Sequence, residues 1–364
     1  MANCNDLFQH YNSAIKLSDD KRTILITARE SIRDRIKNGF KKLPEQDRST
    51  HELDFQSQGS FVMDTIIRPE NDDFDLDDGV YFQGSLTRNN RAKPSDFHNL
   101  IIRSIDKNNG VEDIIDKPTC VRVKYVNQNN GNTLGFHIDI PIYYADNFSN
   151  PDLADTKRNW TISNPVEFIA WFEEKTKSDF QKAFLLETRN YSAQYEAWLN
   201  DIRKKDCQLR RIVRYMKAWA DLKKKEMPAG IIMTILAAEN YVMNERDDIA
   251  FRDTLVNIKK YLDANNCQCP RPTTPAGEDL FAEKTDDDKK YFLSALSSLI
   301  NSANEAIDLA NQKEACAKWQ KHLGSRFPCH LAIDTKPVVK KQEPSLDALK
   351  SSVVHKPWSP KSIY

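Results

Sequence analysis

The chain has 364 residues, of which 40% are hydrophobic and 10% aromatic, enough to bury a substantial core in one bilobal unit or two intimately packed domains. Lysine and arginine together number 53, as do aspartate and glutamate, which excludes the whole-molecule positive field that holds long DNA or RNA through many phosphate contacts. The first dozen residues are too polar for a signal peptide, no apolar run approaches the ~20 residues that span a bilayer, and seven cysteines lie scattered, a pattern that predicts a cytoplasmic protein with reduced thiols and no structural disulfide.

In chain order, Ser18 stands ahead of Asp19 and Asp20, and Leu25, Ala28, Ile32, Ile36 and Phe40 recur at intervals of three and four. The serine can cap, the acids suit a helix start, and the spacing predicts an amphipathic helix. FQSQGSF (55–61) ends a strand at Gly59 and Ser60, and DFDLDDGVYF (73–82) alternates with the period of a second, Phe74 and Leu76 to one side and the aspartates to the other. Pro94 and Ser95 open a helix with Phe97, Leu100, Ile101 and Ile105 as its buried stripe. CVRVKYV (120–126) and FHIDIPIYY (136–144) alternate as strands, joined by an asparagine- and glycine-rich hairpin turn at 127–132.

From about residue 164 the pattern becomes helical. Asn164, Pro165 and Glu167 supply a cap, a first-turn proline and a capping-box acid, and the segments 208–220, 228–243, 249–263, 287–312 and 315–323 carry helical spacing. The proline-rich stretch 267–280 reads as a surface loop. Domains are therefore expected at 1–163, a sheet-bearing core with its N-terminal helix, and at 164–335, a helical lobe completing a cleft, with a flexible tail at 336–364.

Neither Gly-x-x-x-x-Gly-Lys nor Gly-x-Gly-x-x-Gly occurs, so a triphosphate site must be built another way. Asp75 and Asp77 lie two apart on a strand and project from one face. Asp139 sits on the polar side of a second strand, where pairing beside the first would bring three carboxylates together. Crowded carboxylates force one to take a proton, whereas divalent cations keep all ionised. Such oxygen ligands suit magnesium, and two ions about 3.5–4 Å apart stabilise the attacking and leaving oxygens of an in-line phosphoryl displacement. This reading requires that no lysine or arginine plug the acidic pocket.

Gly59 permits a tight turn, and Ser60 adds a hydroxyl and an amide that can donate to phosphate. Arg210, Arg214 and Lys217 form a cationic stripe at i, i+4 and i+7 that would meet a triphosphate if it faced the cleft. Asp73 points with the acidic pair and reads as a supporting residue, and His137 reads as structural. Tyr81, Tyr143 and Tyr144 read as core. Cys267 and Cys269, with Cys329 and His322 or His330, have poor spacing for zinc and read as free thiols.

Gly59-Ser60-Phe61, the run from Asp75 through Leu76, Asp77, Asp78, Gly79 and Val80 to Tyr81, and His137-Ile138-Asp139-Ile140-Pro141 resemble the polymerase-beta-like nucleotidyltransferases. Within that superfamily they resemble the bacterial cGAS/DncV-like enzymes, the CD-NTases. With the helical region near Arg214 to Glu239, the resemblance takes in most of residues 10–330. It implies an α+β, bilobal fold with a mixed sheet lobe, a helical lobe and an active site in the cleft. It also implies that Gly59 and Ser60 hold a donor triphosphate, with Lys217 and Arg214 as further nucleotide-binding residues. Asp75, Asp77 and Asp139 would be catalytic and bind two Mg2+ ions, for which Mn2+ can substitute. The implied substrates are ATP and GTP, and the implied product is a cyclic di- or trinucleotide for CBASS-type antiphage signalling. Its partners would be a downstream effector reached through the product and an accessory regulatory protein, with no membrane and no long nucleic acid. Relatives often carry a serine after the proline that opens the next helix, where this chain has Pro228-Ala229-Gly230; the backbone amides there can still bind phosphate. The terminal Ile363-Tyr364 lacks the small last residue expected for attachment through the C-terminus. Two rival readings are a related nucleotidyltransferase acting on RNA or a small molecule, and a catalytically silent nucleotide-binding module.

Overall fold

A computed structural model describes residues 1–48, 51–70, 73–105, 110–125, 135–145, 150–176, 206–223 and 225–334. The expected hairpin turn at 127–132 and the tail from 336 onward lie outside them.

Five strands form the body of a mixed sheet in the order β1 (Glu52–Gln58), β2 (Phe74–Gln83), β5 (Phe136–Ala145), β4 (Cys120–Tyr125) and β3 (Val111–Lys117). β6 (Asp152–Asp155) joins β5, and β7 (Asn159–Ile162) joins β6. The central pair β2 and β5 is parallel, while β1 with β2 and β4 with β5 are antiparallel. One face of the sheet is covered by α2 (Asp19–Lys42) and α5 (Pro94–Ser104). Leu25, Ile32, Ile36 and Phe40 of α2, Phe97 and Ile101 of α5, and Leu76, Val123, Ile138 and Ile140 of the strands share one apolar core. Each side chain fully buried there contributes about 1.5–3 kcal/mol. Ser18 caps α2 as expected, accepting from the Lys21 amide. The short helices α3 (Glu45–Arg48) and α4 (Gly59–Val62) flank β1.

A second core gathers α6 (Pro165–Thr176), α7 (Gln208–Asp221), α8 (Gly230–Asn240), α9 (Asp247–Ala264), α10 (Asp286–Asp308) and α11 (Gln312–Leu323). The Asn164 side chain accepts from the Glu167 amide at 3.0 Å, the cap expected for α6. The first helix, α1 (Asn5–Ile15), belongs here too. Its Phe8 is fully buried and meets Tyr215, Phe251, Trp319 and Phe327 edge-on, with ring centroids 4.9–5.9 Å apart. A boundary at 163 therefore assigns α1 to the sheet, whereas its side chains pack into the helical core.

The expectation of wholly reduced thiols is corrected by a disulfide between Cys316 and Cys329. Gly324, at φ 77°, ends α11 and turns the chain back so that a short 3-10 turn at Cys329–Leu331 meets the helix it left. Cys267 and Cys269 are free, buried thiols. No helix among the described residues is long and apolar enough to cross a membrane.

Candidate active site

The parallel register of β2 and β5 sets Asp77 directly beside Asp139 and Asp75 directly beside His137. Side chains alternate along a strand, so one sheet face carries all four groups while Phe74, Leu76 and Ile138 fill the core behind them. Oxygens of Asp75 and Asp139 and a ring nitrogen of His137 lie within 4.8 Å of one another. Among the described residues this is the group of three or more metal-ligating side chains so placed.

Each acid has a different electrostatic setting. Asp77 is partly buried, and burial together with the neighbouring Asp75 and Asp139 carboxylates pushes its carboxyl well above the usual range. Asp139 is 8% exposed. Burial acts to raise it, but two hydrogen bonds from Arg122, at 2.6 and 2.7 Å, and Lys117 at 3.7 Å outweigh burial and hold it below the usual range. Asp75 is exposed and lies 3.1 Å from His137 Nε2, while His137 Nδ1 is 3.0 Å from Asp73. Burial opposes the charged imidazole, yet these two carboxylates raise His137 above its ordinary value.

The requirement for unplugged carboxylates thus holds at Asp77 and Asp75 and fails at Asp139. Arg122 faces Asp139 across the β4–β5 ladder, and a guanidinium fork fits a carboxylate in two places. From the sequence it reads only as a polar residue alternating with Val121 and Val123, because the pairing that makes it a partner of Asp139 is set by the sheet.

Gly59 is bound to its residue type twice over. Its φ of +70° is left-handed, and an added Cβ would lie 2.0 Å from Asp77 Oδ2. Ser60 lines a cleft of about 900 Å³ between the sheet and the helices, together with Gln58, Asp75, Asp77, Lys217 and the start of α8 at Gly230. Among the described residues no side chain caps that helix start. Lys217 donates to the Thr65 hydroxyl at 3.1 Å. Its ammonium is pushed down to about 8, by burial first, with Arg214 adding to the effect and Asp77 opposing it.

Arg214 departs from the expected stripe. It is fully buried, bonded to Asn12, to the Asp64 carbonyl and to Asp206, and does not line the cleft. Arg210 is likewise buried, paired with Glu173. Spacing put three cations on one side of the helix, but that side packs against the chain following Ser60, and only Lys217 reaches the cleft.

Two family models match the chain. Residues 53–143 match the nucleotidyltransferase domain described as cyclic GMP-AMP synthase DncV-like, and residues 206–336 match the C-terminal domain of cyclic GMP-AMP synthase. A c-di-GMP synthase of Roseivirga ehrenbergii is 25% identical over 266 residues, covering 69% of this chain and 66% of the relative. A cyclic GMP-AMP synthase of Escherichia coli is 23% identical over 304 residues, covering 75% and 67%. The chain spans about two thirds of the length of these curated relatives. A crystal structure of Vibrio cholerae DncV with a linear intermediate superposes with a TM-score of 0.67 over 92% of this chain and 99% of that one. At 20% identity this likeness speaks for the fold, a mixed sheet with helices of polymerase-beta-like type. The two domain matches together take in more than half of the residues, and the chain belongs to the bacterial cGAS/DncV-like nucleotidyltransferases.

Proposed function

We propose that the protein condenses nucleoside triphosphates, ATP and GTP foremost, into a cyclic di- or trinucleotide with release of pyrophosphate. The observation that carries this reading is the β2–β5 register, which sets Asp139 beside Asp77, and Asp77 lines the cleft together with Ser60 and Lys217.

The donor set fits divalent cations. It consists of hard oxygens, and Asp77 is driven toward protonation first by burial and then by its acidic neighbours, the second of which bound positive charge relieves. Asp75, Asp77 and Asp139 are the residues to hold two magnesium ions, which when bound supply charge at the attacking and leaving oxygens. Ser60 donates to the donor phosphates from the sheet side, and Lys217 exchanges Thr65 for a phosphate oxygen from the helical side. Asp139 takes part once Arg122 gives up its carboxylate, and it then orients the acceptor hydroxyl and accepts its proton. The hydroxyl oxygen bonds to the alpha phosphorus as the bond to pyrophosphate breaks, and a second such step closes the ring. Antiphage signalling through a separate effector, an accessory regulator and a cytoplasmic setting belong to the same proposal, supported by the family alone.

The test is incubation of purified protein with the four radiolabelled triphosphates and Mg2+ or Mn2+, alongside an Asp75→Ala/Asp77→Ala control. Phosphatase-resistant product from the intact protein only is expected. Equal product from the control contradicts the site, and a phosphatase-sensitive linear product would favour the non-cyclising relatives.

A further inference from the structure

We propose that Arg210 and Arg214 are positioning residues for the donor triphosphate. With Lys217 they form a three-rung ladder on α7 that grips three consecutive carbonyls and fixes the Gly59–Ser60 turn against the helical lobe. The inference rests on the triphosphate reading of the cleft given above.

Positions i, i+4 and i+7 share one helix face. Arg210 Nε donates to the Met63 carbonyl at 3.0 Å, Arg214 Nη1 to the Asp64 carbonyl, and Lys217 Nζ to the Thr65 carbonyl at 3.3 Å. The same short segment folds back on the turn. The amides of Thr65 and Ile66 donate to the Ser60 carbonyl at 2.9 and 3.1 Å, and that of Met63 to the Gly59 carbonyl at 3.3 Å. One layer of backbone therefore joins the helix cations to the residues that face the phosphates.

Both guanidiniums are at most 2% exposed, so neither touches a substrate, and each is braced from behind. Glu173 accepts twice from Arg210 at 2.6 Å, and Asp206 accepts from Arg214 while Asn12 accepts at 2.9 Å. Asp64 has a φ of 52°, unfavourable for any residue with a side chain, and such strain persists only where the surroundings hold it. Arg22, Lys16 and Arg214 surround its carboxylate. The third rung differs from the other two. Lys217 lies in the cleft wall and can leave Thr65 for a phosphate, while the buried rungs keep the turn in place.

An arginine fork serves a carbonyl and a carboxylate together, which a lysine ammonium does not reproduce. Arg214→Lys thus keeps the charge and removes the geometry. The experiment measures the Kd of a nonhydrolysable GTP with Mg2+, the steady-state KM and kcat, and the thermal midpoint, for Arg214→Lys alone and combined with Ser60→Ala. Arg210→Lys gives the same readouts should the first variant fail to fold. The expected result is a Kd and KM raised about tenfold with a smaller fall in kcat, and a Ser60→Ala penalty that shrinks in the Arg214→Lys background, since residues acting through one network are non-additive. An unchanged Kd with only a lowered thermal midpoint, or strictly additive effects, overturns the ladder while leaving the activity of the intact protein standing. Absence of triphosphate binding by the intact protein overturns both readings.

Discussion

At Gly59 a single methyl group would meet Asp77 Oδ2 at 2.0 Å in a backbone of positive φ. Gly59→Ala must therefore push the turn or the aspartate aside, and a displacement of about 1 Å at reacting groups costs on the order of 100-fold in rate. The expected outcome is that loss of turnover with a destabilisation of only about 1–3 kcal/mol, read by product assay and thermal melt; unaltered turnover would contradict the packing. Lys217 makes a separate prediction about pH. Phosphate favours the charged ammonium, whose value in the free protein is about 8. Below pH 8 the cation is present before binding. Above it, binding must recover a proton, so KM for the triphosphate should rise by up to about tenfold per pH unit. Lys217→Arg, which stays charged, should flatten that rise; a KM independent of pH from 7 to 9.5 in the wild type would remove Lys217 from the phosphate site.

Among the elements, β2 and β5 were legible because Phe74, Leu76, Ile138 and Ile140 alternate strictly with polar residues, and that alternation put Asp75 and Asp77 on one face and Asp139 on the polar side of its own strand, leaving the parallel pairing to bring the three together. The partners of those acids were not legible. Arg122 and Lys117 reach Asp139 from β4 and β3, a relation fixed by strand order, and VEDIIDK of β3 lacks the alternation that marks a strand. β6 and β7, of four residues each, are too short for a period to show. α1 was read only for its polarity, although Leu7, Phe8, Tyr11 and Ile15 carry a buried helical stripe. Removing the Phe8 ring leaves a void among four aromatic neighbours, and Phe8→Ala should cost about 3–5 kcal/mol. Denaturant unfolding checks this, and a cost below about 1 kcal/mol would mean that α1 is not integral to the helical core. The cationic stripe on α7 was legible as a stripe, while its direction was not, since spacing defines a face and only tertiary packing decides what that face meets.

For the whole molecule, balanced charge and a concave cleft fit small charged substrates better than a polymer. Added long RNA or DNA should leave triphosphate turnover unchanged at physiological salt, and strong competition in a rate assay would speak for a polymer-binding role. Everything functional depends on carboxylates from β2 and β5 sharing cations beside Ser60, with Arg122 yielding Asp139. The most direct measurement is a crystal structure with a nonhydrolysable triphosphate and Mn2+, the metals located by anomalous scattering. Two manganese sites roughly 4 Å apart, bound by Asp75 and Asp77, with Asp139 reaching one of them and Arg122 withdrawn, are the expected result. A single site on Asp75 and His137, with Arg122 still gripping Asp139, would contradict it.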